Sequence, residues 1–269
     1  MRKHTKNSLA LSADCIKHNY FQKEVLLYLS MQNELKHELH LVLSGKSQIR
    51  FGTAVQAIAS YLDHGAQTSS TVENEKQYKN QETKSLEKYI SENSLWIEID
   101  LSQYVSEGAE QKVYLKDAEH VLKLNDSIYY NCWKDYFDNL LLHNYFFPDT
   151  AYNLIGFTKN NEIVYAVVKQ AYVSITESTN LETVKSFLTQ NGFVNNRNND
   201  YYNPELGIIL EDLHDENVLT RNGVLYFIDT VFYLTDTFWR NDSWFIIDAT
   251  NAIAMRNDKA IYFVESGKS

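Results

Sequence analysis

The segment from Gly207 to Thr230, GIILEDLHDENVLTRNGVLYFIDT, constrains the fold more than any other part of the chain. Two apolar runs, VLT and VLYFI, flank Arg221-Asn222-Gly223, a turn signal whose glycine is free to take positive φ, so the stretch predicts a β-hairpin. Before it, the apolar run from Gly207 to Leu210 leads to Asp212, and Asn217 follows five residues later, just ahead of Val218 and Leu219. This pattern predicts a short polar loop gripped between buried segments, with Asn217 facing back toward Asp212. The far end of the hairpin delivers Asp229.

An Asp, an Asn and a second Asp around a tight hairpin are the residue types that a phosphoryl-transfer site requires. Nucleotide phosphates bind with Mg²⁺, a hard cation that takes one or two protein oxygens beside phosphate and water. Asp229 and Asn217 suit that task. A separate carboxylate must orient the attacking hydroxyl and take its proton, and Asp212 is placed for it. Asx residues in loops also serve as caps for local backbone groups. The two readings part on whether the rest of a nucleotide site follows in order along the chain.

Asp212-Leu213-His214-Asp215-Glu216-Asn217 and Ile228-Asp229-Thr230 resemble the Asp-x-x-x-x-Asn catalytic loop and the metal-binding Asp of the protein-kinase-like fold. Leu210 and Glu211 stand where eukaryotic protein kinases carry His-Arg, and Thr230-Val231 stand for Phe-Gly. Asp-Leu-His is also similar to the loop of aminoglycoside and other small-molecule phosphotransferases. The resemblance implies an upstream lysine for ATP on a strand, behind a loop that covers the phosphates. His120-Val121-Leu122-Lys123-Leu124 offers Lys123, and the stretch from Ser106 to Tyr114 offers Gly108, with Glu110 and Val113 where two more glycines would stand.

Residues 127–146 have helical spacing. The resemblance makes this the helix that supplies the acidic partner of Lys123, with Asp138 as the candidate and Asp135, one turn earlier, as the alternative. Tyr152 to Thr158 and Ile163 to Val173 predict two strands. In the family the second leads to the adenine, which implies backbone contacts from Lys169, Gln170 and Ala171 and faces lined by Val121 and Val168. Together with Leu142-His143-Asn144 before Phe146-Phe147-Pro148, these motifs resemble the Ser/Thr/Tyr kinase domains of bacterial polyvalent proteins of mobile elements and phages, over about residues 95–235.

The resemblance implies ATP and Mg²⁺ as cofactors and a protein or small-molecule hydroxyl as acceptor. It assigns catalysis to Asp212, Lys123, Asn217 and His214, and metal to Asn217 and Asp229. His214 fits equally well as a residue that orients the loop. The fold class implied is α+β, a bilobal kinase-like fold. Only forty residues follow Asp229, so its C-terminal lobe reads as truncated. The degenerate Gly108 loop and that short remainder also fit a function of another class, a pseudokinase-type interaction module of a mobile element or toxin system. Self-modification or AMP transfer on the same fold is a third reading.

Ahead of this region, Leu26, Leu29, Leu35, Leu39 and Val42 recur near helical spacing, and Phe51 to Leu62 adds a further helix ended by Gly65, so residues 1–65 predict a helical N-terminal region. Residues 66–84 hold almost no large apolar side chain besides Val72 and Tyr78, and read as a polar linker. The kinase-like domain is expected over 95–269, with a small lobe over 95–173 and a reduced large lobe over 174–269. Trp96 to Leu101 alternates as a strand does, 180–191 predicts a helix and 193–203 a polar loop. Val231 to Leu234, Trp244 to Asp248 and Ala260 to Val264 predict short strands.

An apolar fraction of 44% supports a real core, and the formal charge of −10 argues against broad binding to nucleic acid or anionic membrane. No stretch approaches the ~20 apolar residues of a membrane span. Cys15 and Cys132 have no metal-ligand or disulfide pattern, consistent with a reducing cytoplasm. His37 and His40 lack a third ligand. Ser44-Gly45-Lys46-Ser47 fails as a phosphate loop because His40 stands where its first glycine belongs.

Overall fold

The structure, a computed structural model, describes residues 31–67, 75–108, 111–240, 252–257 and 260–265. Three helices come first: α1 over residues 31–43, α2 (Gly52–Gln67) and α3 (Glu75–Glu92). The Ser-Gly-Lys-Ser stretch is the C-cap of α1. Gly45 takes φ +72 and its N–H donates to Val42 O at 3.0 Å, while Lys46 N–H donates to Leu41 O at 2.8 Å, the left-handed ending that helices favour. The linker expected over 66–84 is corrected from Glu75 onward, where the chain is helical.

Five strands follow: β1 (Tyr104–Glu107), β2 (Gln111–Leu115), β3 (His120–Asn125), β4 (Asn153–Asn160) and β5 (Ile163–Ala171), with α4 (Trp133–Phe146) between β3 and β4. They form one antiparallel sheet in the order β1-β2-β3-β5-β4. Strand alternation sends Leu122, Leu124, Tyr114, Tyr165 and Val167 to one face, where they form a small cluster with Ile97 and Ile99. Of residues 96–101, expected as a strand, 96–99 cross this face joined to β4 by a single bridge from Trp96 to Phe157, and Leu101 already belongs to a 3-10 turn capped by Asp100. Gly156 makes the crossing possible, since its φ is +154 and a Cβ there would lie 2.7 Å from Leu95 O.

The other face of the sheet carries Val121 and Lys123, and α4 contributes its apolar stripe to the main core. Phe137, Leu140, Leu141 and Leu142 of α4 are buried together with Leu39 and Val42 of α1, Val55, Ile58 and Leu62 of α2, and Leu86 and Ile90 of α3. The N-terminal helices therefore share one hydrophobic core with the sheet and α4.

After α5 (Leu181–Gln190), capped by the Asn180 side chain on the Glu182 N–H at 2.9 Å, come β6 (Val194–Arg197), β7 (Asp200–Asn203), β8 (Ile208–Glu211), β9 (Val218–Arg221), β10 (Val224–Phe227) and β11 (Val231–Leu234). Residues 193–203, expected as a loop, form the β6–β7 hairpin: Asn198 turns at φ +48, and Phe193 and Tyr201 are buried beside it. β11, β8, β7 and β6 make a second antiparallel sheet. β9 and β10 pair as predicted, with Arg221 opposite Val224 and Asn222 and Gly223 at φ +50 and +75, the signature of a two-residue hairpin turn.

The first compact unit ends at Phe238. In the second, β12 (Ala252–Asn257) and β13 (Ala260–Glu265) form an antiparallel hairpin pairing Asn257 with Ala260. The strand expected at 244–248 lies outside the described residues. Among the described residues no helix is long and apolar enough to cross a membrane.

Candidate active site

Two hairpins and one strand bring the site together. β8 ends at Glu211, and Asp212 turns the chain at φ +66, a left-handed conformation that Asp tolerates better than most side chains. Its N–H donates to the Asp200 carboxylate at 3.1 Å, so the β6–β7 hairpin fixes the turn. Asn217 Nδ2 donates to Asp212 Oδ2 at 2.8 Å and to Asp212 O at 2.9 Å. The expectation that Asn217 faces back to Asp212 is met in the geometry. His214 Nε2 lies 3.2 Å from Asp212 Oδ1. His214 Nδ1 accepts the Glu216 N–H at 3.2 Å, and Asn217 Nδ2 lies 3.2 Å from His214 Nε2, so the ring, the amide and the carboxylate form one cluster. One carboxylate oxygen of Asp212 thus accepts from Asn217 and the other lies beside His214, while the side chain stays 55% exposed.

The loop is tied to the link between β10 and β11 that carries the second acid, because Ile228 N–H donates to Asn217 O at 2.9 Å. Asp229 follows. Its Oδ2 is 3.7 Å from Lys123 Nζ and its Oδ1 accepts from Gln111 Nε2. Lys123 is buried, donates to Ile228 O at 2.7 Å, and has its ammonium 5.5 Å from the centre of the Tyr152 ring. Burial pushes the Lys123 ammonium down and the Asp229 carboxyl up from their ordinary values, and the attraction between them opposes both shifts. The neighbouring Asp212 carboxylate raises Asp229 further.

Val113 and Val168 lie opposite Lys123 in register, and Val121 is two residues before it, so all four side chains share one face of the sheet. Lys169 is in register with both Leu122 and Asn153 and therefore lies within the ladder, which removes it as a backbone contact for a base. Gln170 and Ala171 pair on the β3 side, and the Gln170 side chain is buried on Thr150 O at 2.7 Å. Gly108 directly follows β1; its N–H donates to Gln111 O at 2.9 Å, and a Cβ there would meet nothing within 4 Å.

Asp138 is the clear correction. Its carboxylate pairs with Lys134 at 2.7 Å, one turn back on α4, and Lys123 takes its charge partner from Asp229. An Asp side chain on a helix reaches its i−4 neighbour more readily than a strand beyond the helix.

Gln111, His143, Thr150, Tyr152 and Thr230 belong to the surroundings of the site and were not anticipated as such. His143 is buried on α4, where its Nε2–H donates to Thr150 O at 3.0 Å and its Nδ1 accepts from the Thr230 hydroxyl at 2.7 Å. Tyr152 OH donates to Ile228 O at 2.9 Å. The only signal in the sequence is the run of polar residues inside apolar segments, which does not identify partners 76 to 118 residues away.

Among the described residues, no group of three His, Cys, Asp or Glu side chains is set to hold a metal alone. Asp229 and Asn217 instead offer two hard oxygens, the number Mg²⁺ takes when phosphate and water fill its other positions. With Asn217 Nδ2 turned to Asp212, its Oδ1 is left outside that pairing. The residues fit the ion.

A lysine on the central strand of a five-stranded antiparallel sheet, with an Asp–Asn loop and a second Asp just past a hairpin, is the arrangement of a kinase-like domain. Residues 79–236, more than half of the chain, match the family described as Serine/Threonine/Tyrosine Kinase found in polyvalent proteins, and the chain belongs to that family. No curated protein and no solved structure matches the chain.

Proposed function

We propose that the chain is an ATP- and Mg²⁺-dependent phosphotransferase that moves the γ-phosphate to a hydroxyl of a protein Ser, Thr or Tyr or of a small molecule. The observation that carries this reading is the juxtaposition of two pairs: Lys123 with Asp229 at 3.7 Å, and Asp212 with Asn217 at 2.8 Å. Family membership supports it. Bound Mg²⁺ supplies charge neutralisation of the phosphates. Asp229 and Asn217 Oδ1 would hold it.

On this reading Lys123 faces the α- and β-phosphates from the floor of the sheet, and Val113, Val121 and Val168 offer the base an apolar face. Asp212 orients the acceptor hydroxyl. As its oxygen bonds to the γ-phosphorus, the bond from phosphorus to the bridging oxygen breaks, ADP leaves, and the hydroxyl proton passes to Asp212. His214 holds the carboxylate in place. The acceptor hydroxyl, ATP and the two-cysteine composition fit a cytoplasmic protein.

Titration calorimetry with ATP, with and without Mg²⁺, tests the site. We expect Mg²⁺-dependent binding that Asp229→Ala abolishes and Asp212→Asn retains, with transfer of labelled phosphate lost in Asp212→Asn. Undiminished transfer by Asp212→Asn would sink its assignment as base, and no binding at millimolar ATP would sink the phosphotransferase reading itself.

A further inference from the structure

The helix α4 faces the site without giving Lys123 an acid. Its buried carboxylate, Asp138, pairs through Oδ2 with Lys134 at 2.7 Å. What α4 does hold is the chain just after Asp229. His143 Nδ1 accepts the Thr230 hydroxyl proton at 2.7 Å, and Asn139 Oδ1 accepts the Phe232 N–H at 2.9 Å. All of these groups are buried: His143 and Thr230 are 0% and 1% exposed and Asn139 is 4% exposed.

The direction of the His143 bond is fixed by its partners. Thr150 O accepts only, so Nε2 carries the proton, and Nδ1 is left as an acceptor that the Thr230 hydroxyl must satisfy. The imidazole is neutral as well as caged, since burial pushes its pKa down to about 3. Asn139 is oriented in turn, because its Nδ2 donates to Tyr130 OH at 3.0 Å.

We infer that His143, acting through the Thr230 hydroxyl, is a positioning residue for Asp229, and that α4 is coupled to the metal position by this bond and not by an acidic partner for Lys123. The inference rests on the phosphotransferase reading above, in which Asp229 holds the cation. A residue behind a metal ligand fixes its orientation, and losing such a group typically weakens the metal about 10-fold or more. Thr230→Val keeps the shape of the side chain and removes the proton donor. Thr230→Ser keeps the donor.

The experiment is ATP binding by calorimetry across a series of Mg²⁺ concentrations, on wild type, Thr230→Val and Thr230→Ser, with near-ultraviolet circular dichroism on each. Thr230→Val should need about 10-fold more Mg²⁺ for the same gain in ATP affinity. It should bind metal-free ATP as wild type does, because Lys123 is untouched, and Thr230→Ser should restore the wild-type Mg²⁺ dependence. Equal Mg²⁺ dependence in Thr230→Val and wild type overturns the inference, whatever happens to stability. If Thr230→Val fails to fold, Thr230→Ala removes the hydroxyl without adding bulk and carries the same expectation. Failure of wild type itself to show Mg²⁺-dependent ATP binding is a different result, which overturns the phosphotransferase reading and this inference together.

Discussion

Lys123 sits where an ammonium is costly, 4% exposed beneath the sheet, and three features compensate it: Asp229 at 3.7 Å, Ile228 O at 2.7 Å and the face of Tyr152. Removing one partner of a buried pair leaves the other charge stranded, at a cost of about 3 kcal/mol or more, whereas replacing both by apolar groups is often neutral. Asp229 is 30% exposed, so water softens its side of the pair. We therefore expect Asp229→Ala to lower the urea midpoint of unfolding clearly, and Lys123→Met in the same chain to recover most of the loss. Without that recovery the pair does not govern stability here. His143 gives a second test. Its folded pKa of about 3 lies below the ordinary 6.5, so the unfolded chain takes up a proton first as pH falls, and stability present above pH 6.5 is lost below it. Between about pH 6.5 and about pH 5 the loss should be on the order of 2 kcal/mol. His143→Gln should remove that slope from urea titrations run across this range. Asp212, Asn217 and Asp229 were legible as residues because their spacing around one hairpin is local. Gln111 and Thr230 were not, because their roles arise from cross-strand register and from a helix 87 residues away.

At the scale of elements, α3 shows what composition hides. Lys79, Glu82, Leu86 and Ile90 fall on one helical stripe, and the last three are 6%, 0% and 0% exposed. Judged by hydrophobicity the first half of this helix reads as linker, because two members of the buried stripe are charged. Their charges are used. Lys79 donates to Ser127 O and Tyr130 O, and the Glu82 carboxylate accepts the Trp133 and Lys134 N–H groups, which caps α4 from another helix where Cys132 supplies no side-chain cap. Glu82→Ala should cost about 1–2 kcal/mol, the scale of a lost N-cap, read as a lower thermal midpoint. The hairpin of β9 and β10 was legible for the opposite reason: Asn222-Gly223 dictates its own turn. On α4, burial raises the Asp138 carboxyl to about 6, against the pull of Lys134. A carboxyl raised on folding stabilises at low pH and loses that contribution as pH climbs through its folded value. Asp138→Asn should flatten the pH dependence of stability between about pH 4 and about pH 7 by on the order of 3 kcal/mol, measured by urea denaturation relative to wild type.

At the scale of the whole molecule, the match to the kinase family begins at residue 79, inside α3, yet the core does not begin there. Val55, Ile58 and Leu62 of α2 and Leu39 and Val42 of α1 are 0–3% exposed and join the cluster that contains Phe137, Leu141 and Phe157. α1 also reaches the far end of the unit, where His40 stacks on Phe238 with ring centres 4.3 Å apart and its Nε2–H donates to Phe238 O at 3.0 Å. Periodicity in the sequence showed that these helices have an apolar face, but periodicity names no partner, so their union with α4 was not legible. Their removal would expose a continuous apolar surface on α4, which a chain this size cannot leave in water. A chain lacking residues 1–67 is therefore expected to be aggregated or without near-ultraviolet dichroism, even though it retains Lys123, Asp212, Asn217 and Asp229. A chain ending at Phe238 keeps the whole of the first unit and is expected to keep its cooperative unfolding and its ATP binding. Sedimentation velocity, circular dichroism and ATP calorimetry on both deletions decide the matter. A monomeric, folded and ATP-binding product without residues 1–67 would show that α1 and α2 are an appendage, while loss of folding in that deletion alone makes them part of the kinase domain's core.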